Sequence, residues 1–242
     1  MTPILAMQDV SKRYGALVVT DHLTMHLEEG EALGVIGPNG AGKTTMFNII
    51  AGGVSPDSGR VMFGDDDIKR MPPFKRCKHG IARSYQIPHP FIGMTVFENL
   101  LVGATFGDNR REQEVHDRCI DVLDQTGLLP KANVQAGRLT LLERKRLELA
   151  RALATNPKVL LLDEIAGGLT EHECHDLVTG IQAVRATGVS IIWIEHIVHA
   201  LLAVVDRLIV INFGKKIDDG DPGTVIGSPA VKEIYMGIEA GA

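Results

Sequence analysis

The chain carries at positions 37–44 the sequence Gly37-Pro38-Asn39-Gly40-Ala41-Gly42-Lys43-Thr44, and this stretch decides the fold. It follows a short apolar run at 32–36, typical of a buried strand, and it opens a helical pattern at Lys43. Glycines at this spacing let the backbone curl so that successive N–H groups point at one centre, and the helix start adds partial positive charge. The stretch matches G-x-x-x-x-G-K-[ST] in the strand–loop–helix context that this motif requires. It therefore predicts a loop that binds nucleotide phosphates.

Apolar runs alternate with helical patterns along the chain, and this alternation predicts an α/β fold with a mostly parallel sheet. The continuous apolar runs are typical of strands covered on both faces, and they lie at 32–36, 159–162, 189–194 and 208–211. Two looser alternating runs, at 4–11 and 18–27, predict an N-terminal antiparallel β subdomain. From 214 onward the sequence predicts turns and a short terminal helix. The expected fold class is therefore α/β, with a P-loop NTPase core.

The segment from about 88 to 154 contains helical patterns and no convincing strand. A Thr-x-x-Glu capping box, Thr95 with Glu98, predicts the start of its first helix. Further helices are expected over 111–126, ended by Gly127, and over 141–154, ended by Asn156-Pro157. We expect an all-helical subdomain, inserted at about 88–154 into a single domain that spans 1–242.

Composition argues against three classes of protein: those that bind nucleic acid, those stabilised by disulfides and those that span a membrane. The 242 residues include 25 Lys and Arg against 30 Asp and Glu, and a net charge of −5 argues against a nucleic-acid partner. Three widely spaced cysteines, Cys77, Cys119 and Cys174, predict no disulfide framework and favour a reducing compartment. The N-terminus lacks the pattern of a signal peptide, and no apolar run approaches the roughly 18 residues that a membrane span needs. Any membrane spans must come from other chains.

Two carboxylates follow the apolar run at 159–162. Asp163, at the carboxyl end of the expected strand, is positioned to hold Mg²⁺ directly or through water. Glu164 is positioned to accept a proton from an attacking water. An apolar strand with an acidic end is common, but the phosphate-binding motif upstream favours the functional interpretation.

Over nearly its whole length the sequence resembles the ATPase subunits of ATP-binding-cassette (ABC) transporters, with several motifs in the family's order. Ser84-Tyr85-Gln86 resembles the family's glutamine loop, which implies that Gln86 contacts Mg²⁺ or the attacking water. Ile194-Glu195-His196 resembles the strand end that carries the family's switch histidine, so His196 is implied to hydrogen-bond the γ-phosphate. Tyr14 matches the aromatic residue that stacks on adenine, which implies ATP rather than GTP.

The motif and the resemblance together give a set of candidate site residues. The expected catalytic residues are Lys43, Gln86, Glu164 and His196. The expected nucleotide-binding residues are Tyr14, Gly37, Pro38, Asn39, Gly40, Ala41, Gly42, Lys43, Thr44 and Thr45, with Thr140 acting on the ATP of a partner chain. The expected magnesium ligands are Thr44, Gln86 and Asp163.

The sequence departs from the family at its signature, Leu-Ser-Gly-Gly-Gln. Here the matching stretch is Leu139-Thr140-Leu141-Leu142-Glu143, which keeps a hydroxyl at Thr140 but has leucines where the family has glycines. Thr140 with Glu143 is also a capping box that only starts a helix, and both interpretations stay open. A second departure is Thr170, which stands where the family commonly has an Asp that contacts the opposite subunit.

The resemblance implies a subunit that hydrolyses ATP to power a membrane importer. Within the family, the stretches 94–103 and 145–150 most resemble the branched-chain or hydrophobic amino-acid uptake group. Related small solutes of that group are amides, urea and aromatic acids. The implied partners are two polytopic permease subunits, a second ATPase subunit and an extracytoplasmic solute-binding protein, with no nucleic acid. The implied location is peripheral, on the cytoplasmic face of the inner (plasma) membrane.

Two other functions stay open at this point. One is a soluble ABC-type ATPase that acts as an assembly or mechanical factor without membrane subunits. The other is a nucleotide-binding regulatory subunit with little turnover, which the altered signature suggests. The apolar, proline-stiffened segment 87–92 is expected either to dock a membrane subunit or to form a buried loop.

Overall fold

The computed structural model describes residues 2–108 and 110–236. Within them the strands, in chain order, are β1 (Leu5–Tyr14), β2 (Leu17–Leu27), β3 (Ala32–Ile36), β4 (Ser58–Phe63), β5 (Asp66–Asp67), β6 (Ile81–Ser84), β7 (Val159–Asp163), β8 (Ser190–Ile194), β9 (Arg207–Asn212) and β10 (Lys215–Gly220). The α-helices are α1 (Lys43–Ala51), α2 (Pro73–His79), α3 (Val96–Asp108), α4 (Glu112–Gln125), α5 (Leu141–Ala154), α6 (Glu171–Arg185), α7 (Val198–Leu202), α8 (Pro222–Gly227) and α9 (Pro229–Met236). Two 3₁₀ turns lie at Leu129–Lys131 and Ala136–Arg138.

Backbone contacts divide the chain into two units. The first unit contains the residues up to Pro73 and those from Ser190 onward, and the second contains Phe74 to Val189. The expectation of a single domain over 1–242, with an insertion at about 88–154, stays a prediction.

The first unit holds an antiparallel sheet with the strand order β2-β1-β4-β5. Leu5 pairs with Leu27 on one side and with Phe63 on the other. Leu5 and Leu27 are fully buried, because the alternation in both strands turns one face of the sheet toward the core. This confirms the predicted N-terminal antiparallel subdomain.

The same unit holds the strand series β10-β9-β3-β8. Strand β3 is parallel to both β8 and β9, whereas β10 is antiparallel to β9. All residues of β3 and β8 are buried, which agrees with their continuous apolar sequences. Because parallel strands end at the same edge, the segments that follow β3 and β8 emerge together at the carboxyl edge of this sheet.

The second unit pairs β6 with β7 in parallel and surrounds them with helices. Helix α3 packs against α4 and α5, and α5 also packs against β6. Among its described residues, 88–108 and 110–154 contain helices, the 3₁₀ turns and one isolated bridge between Thr95 and Gln135, but no strand. Helix α5 has the predicted limits, and the capping box of Thr95 with Glu98 is present.

The sequence prediction was incomplete in two places. Strands β4, β5 and β6 and helix α2 lie in 52–87, where no element was predicted. The expectation of turns and one short helix after residue 214 was wrong, because β10 adds an edge strand there before α8 and α9. Strand β10 is polar and partly exposed, so its sequence lacks the apolar run that identified the central strands. None of the helices within 2–108 and 110–236 has the length and apolar character of a membrane span.

Candidate nucleotide-binding site

The phosphate-binding loop at 37–44 follows β3 and runs into the first turn of α1, as its sequence predicted. The Lys43 side chain folds back over the loop, where its Nζ donates hydrogen bonds to the carbonyl oxygens of Gly37 at 2.6 Å and Pro38 at 3.0 Å. The Ala41 N–H also donates to the Pro38 carbonyl, at 3.1 Å. Lys43 is only 5 % exposed, so the loop already holds a positive charge at its centre. This arrangement suits an anionic ligand such as a phosphate group.

Backbone from two strands approaches the loop more closely than any side chain would permit. A Cβ built on Gly37 would lie 2.1 Å from the Ile211 carbonyl oxygen, at the end of β9. A Cβ on Gly42 would lie 2.4 Å from the carbonyl oxygen of Val19 in β2. Gly42 also has a φ of +105°, a conformation that L side chains rarely adopt. The glycines therefore bring the loop into direct contact with its supporting strands.

The other predicted residues of the first unit lie around this framework. Thr44 and Thr45 occupy the first turn of α1, where Thr44 is exposed. Asn39 and Gly40 are exposed at the tip of the loop. Tyr14 ends β1 with 51 % of its surface exposed, and the Lys12 ammonium lies 5.4 Å from the centre of its ring. An exposed ring at a strand end is suited to stacking on a planar base.

His196 lies two residues beyond β8, the parallel neighbour of β3. Val35 of β3 is in register with Ile194 of β8, so the phosphate-binding loop and His196 both follow strands that end at the same sheet edge. The His196 side chain is exposed, and its backbone N–H donates to Glu195 Oε1 at 2.9 Å. Sheet topology thus supports the predicted placement of His196 beside the loop.

In the second unit, the two carboxylates at and just after the end of β7 each have a partner in β6 or in the residues just after it. Gln86 Nε2 donates to Glu164 Oε2 at 2.6 Å. Glu164 lies in the turn after β7 and has a φ of +46°. This conformation is uncommon for a residue other than glycine and is typical of functional sites. The two residues that the sequence predicted separately are therefore direct partners.

Arg83 is a site residue that the sequence analysis missed. Its Nη2 lies 2.5 Å from Asp163 Oδ2, and the two side chains are only 9 % and 8 % exposed. Its guanidinium also lies 5.0 Å from the centre of the Tyr85 ring. The sequence contains no signal for this pair, because β6 was not predicted as a strand and Asp163 lies 80 residues further along the chain.

Thr140 caps α5, as one of its two open interpretations required. The Thr140 hydroxyl accepts from the Glu143 N–H at 3.4 Å, while the Thr140 N–H donates to Glu143 Oε2 at 2.9 Å. Lys131 pairs with Glu143 at 2.7 Å, and Leu141 is 46 % exposed. The role of Thr140 toward a partner's ATP stays a prediction. Thr170 caps α6 in the same way, with Glu173 as its partner.

The segment that follows Gln86 is tied to α5 by polar contacts. Arg151 Nη1 donates to the His89 carbonyl at 2.9 Å and pairs with Glu148 at 3.0 Å. Burial raises the pKa of Glu148, and the nearby Arg151 partly opposes this shift. Ile87 and Ile92 are 65 % and 67 % exposed, so the expectation that 87–92 forms a buried loop was wrong. Its backbone is anchored while its apolar side chains face solvent.

The comparisons with known proteins agree with this geometry. The family model described as ABC transporter matches residues 20–167, which include both the phosphate-binding loop and the strand that ends in Asp163. The chain belongs to the ABC transporter family. This ABC cassette binds nucleotide and is an ATPase coupled to transport, as the resemblance in its sequence implied.

Individual relatives match this ABC cassette over almost its full length. The high-affinity branched-chain amino acid transport ATP-binding protein BraF of Pseudomonas aeruginosa is 33 % identical over 97 % of this chain and 98 % of its own. The corresponding protein LivG of Salmonella typhimurium is 34 % identical with the same coverage. A solved ATP-binding cassette in its ADP conformation has a TM-score of 0.89 at 31 % identity, covering 98 % of this chain and 100 % of its own. These matches confirm the predicted fold class and the ABC assignment.

Proposed function

We propose that this ABC cassette hydrolyses ATP to power an importer for branched-chain or other hydrophobic amino acids. The observation that carries the ATPase part is the phosphate-binding loop at 37–44, with the buried Lys43 ammonium held at its centre. The substrate class follows from the full-length similarity to BraF and LivG. The lipopolysaccharide export ATP-binding protein LptB of Escherichia coli is 31 % identical, so the substrate must be tested directly.

In this proposal the first unit binds the nucleotide. The N–H groups of the loop and the Lys43 ammonium hold the β- and γ-phosphates, and Tyr14 stacks on adenine. His196 donates a hydrogen bond to the γ-phosphate. The Lys43 ammonium and the N–H donors place positive charge or partial positive charge where negative charge develops as the terminal phosphate leaves, which is the main source of catalysis in phosphoryl transfer.

The second unit supplies the group that accepts the proton. Glu164 takes a proton from the attacking water, and the Gln86 amide, 2.6 Å away, fixes the orientation of that carboxylate. The proposed magnesium ligands are Thr44, Gln86 and Asp163; a hydroxyl, an amide and a carboxylate oxygen are the hard ligands that Mg²⁺ prefers. When bound, Mg²⁺ neutralises phosphate charge.

We place this subunit at the cytoplasmic face of the inner membrane, beside two permease subunits, a second ATPase subunit and a solute-binding protein outside. The exposed side chains of Ile87, Phe91 and Ile92 support docking of a permease at this segment. The alternative of a soluble assembly factor is not favoured, since the relatives described above are transport proteins. Whether Thr140 acts on the partner's ATP, and whether turnover is low, stay predictions.

Uptake by cells tests the proposal. We expect deletion of the gene to reduce uptake of radiolabelled leucine, with recovery by the wild-type chain but not by Lys43→Ala. Uptake of a sugar is the control and should be unchanged. Normal leucine uptake in the deletion strain would overturn the substrate class, while full recovery by Lys43→Ala would overturn the ATPase role.

A further inference from the structure

The turn between β9 and β10 contacts the back of the phosphate-binding loop. Asn212 pairs with Lys215, so Phe213 and Gly214 form a two-residue turn. Both have positive φ values, 47° and 76°. Two-residue hairpins of this conformation favour Asn-Gly, and a phenylalanine in the first position is strained. Phe213 gains little from burial there, since it is 82 % exposed.

Gly214 is held by two backbone hydrogen bonds, one to each side of the turn. Its N–H donates to the Ala41 carbonyl of the phosphate-binding loop at 2.9 Å. Its carbonyl accepts from the N–H of Asp21, in β2, at 2.9 Å. Lys215 adds an ion pair with the Asp21 carboxylate at 3.1 Å. The turn therefore links the loop to β2.

No side chain fits at position 214. A Cβ there would lie 2.7 Å from the Val19 carbonyl oxygen and 2.9 Å from the Cα of Thr20. Both neighbours are backbone atoms of β2, which cannot rotate away as the end of a flexible side chain can. A larger residue would therefore push the turn away from β2 and disturb the hydrogen bond to Ala41.

The hydrogen bond to Ala41 has a geometric consequence for the phosphate-binding loop. The peptide that joins Ala41 to Gly42 is trans, so its C=O and its N–H point in opposite directions. When Gly214 holds the Ala41 carbonyl, the Gly42 N–H is directed away from the turn. Gly42 precedes Lys43 at the start of α1, and an N–H at this position is one of those that the loop offers to phosphate.

We infer that Gly214 is a positioning residue for nucleotide binding: its N–H fixes the peptide plane of Ala41–Gly42, so that the Gly42 N–H is already oriented before phosphate binds. The inference rests on the proposed role of residues 37–44 as the phosphate-binding loop. An oriented donor binds more tightly because less conformational freedom is lost when the ligand arrives.

The test compares Gly214→Ala with Gly30→Ala in the full-length chain. Gly30 has nearly the same φ, +74°, but a Cβ there meets nothing within 4 Å, so this control carries the backbone strain without the collision. Binding of a fluorescent ATP analogue and thermal unfolding without nucleotide are measured for both variants. We expect at least tenfold weaker binding for Gly214→Ala and a change below twofold for Gly30→Ala.

The outcomes separate this inference from the proposed function. Wild-type affinity in Gly214→Ala would overturn the inference and leave the ATPase role intact. No nucleotide binding by the wild-type chain would overturn both. A merely structural role would lower the melting temperature of Gly214→Ala without changing its affinity at a temperature where it stays folded, and that result too would overturn the inference.

A measurement on the wild-type chain covers the case in which Gly214→Ala does not fold. Hydrogen exchange is followed in peptides that contain the turn, with and without ADP, and the turn at Gly64 serves as reference. We expect ADP to slow exchange at Gly214 and to leave the reference unchanged. Equal exchange at Gly214 in both conditions would overturn the inference.

Discussion

The ion pair between Arg83 and Asp163 gives the sharpest test of the second unit. Replacing Arg83 with Met keeps an apolar stem of similar length but removes the charge that faces Asp163 at 2.5 Å. Breaking a buried pair from one side costs about 3–5 kcal/mol, because the remaining charge is left without compensation. Both side chains are less than a tenth exposed, so little of this cost is screened by solvent. We expect the free energy of unfolding to fall by about 3 kcal/mol.

The assay is urea unfolding followed by far-UV circular dichroism, which reports on all the helices, including the long helices α3 to α6 of the second unit. The single tryptophan, Trp193, is buried in β8 of the first unit, and its fluorescence is followed in parallel. The matched control is Lys215→Met, which removes the Lys215–Asp21 pair. The Lys215 side chain is 63 % exposed, so its loss should cost less than about 1 kcal/mol.

A double-mutant cycle decides whether the cost belongs to the pair. Asp163→Asn removes the carboxylate charge in a nearly isosteric way, and we expect it to couple to Arg83→Met by about 2 kcal/mol. A coupling below about 0.5 kcal/mol, or a cost no larger than that of Lys215→Met, would refute the claim that Arg83 stabilises the Asp163 carboxylate. A changed slope of the free energy of unfolding against urea concentration would indicate a change in two-state behaviour or in the compactness of the unfolded chain.

Three further outcomes are expected. Glu164→Gln should retain ATP binding while hydrolysis falls by roughly a hundredfold or more, measured as phosphate release, and unchanged turnover would remove Glu164 from its role. Phe213→Asn should raise the free energy of unfolding by roughly 1 kcal/mol, since asparagine tolerates the left-handed turn, and a loss of stability on urea unfolding would show that Phe213 contributes a contact. The backbone N–H groups of Thr95 and Thr170 donate to Glu98 and Glu173 and lower the pKa values of these two carboxylates below their usual 4.5. The two carboxylates therefore stabilise the fold above pH 4.5, and this stabilisation is lost as the pH falls through the lowered pKa values. The double variant Glu98→Gln, Glu173→Gln should therefore lose less of its urea midpoint between pH 7 and pH 3.5 than wild type, and an equal loss would contradict this assignment.

Features that depend on neighbours close in sequence were predicted from the sequence. The capping box of Thr140 with Glu143 spans three residues, and it fixes the start of α5 where the sequence placed it. The phosphate-binding loop is likewise encoded in eight consecutive residues, and the structure places it after β3 and into the first turn of α1 as expected. Strand β8 was identified because a fully buried strand has a continuous apolar sequence.

Features without a local pattern were not predicted. Strand β6 has four residues and includes an arginine, so neither its length nor its composition indicated a strand. Strand β10 contains lysines and aspartates and forms the edge of its sheet, where apolar residues are not required. Strand β6 is placed by its pairing with β7, which is distant in sequence, and β10 is placed by the two-residue hairpin that pairs it with β9.

The sequence by itself determined that this chain has an α/β nucleotide-binding core, since the phosphate-binding motif and the apolar strands are each encoded in consecutive residues, while the ABC type came from the resemblance of several motifs to that family. The tertiary structure decided which groups hold Asp163, Glu164 and the phosphate-binding loop in place. Arg83 pairs with Asp163, which lies 80 residues away in sequence, and Gln86 donates to Glu164, which lies 78 residues away. The Gly214 N–H donates to the carbonyl of Ala41, which is also distant in sequence. Such contacts depend on strand order and register, which bring distant backbone together, and no spacing along the chain encodes them.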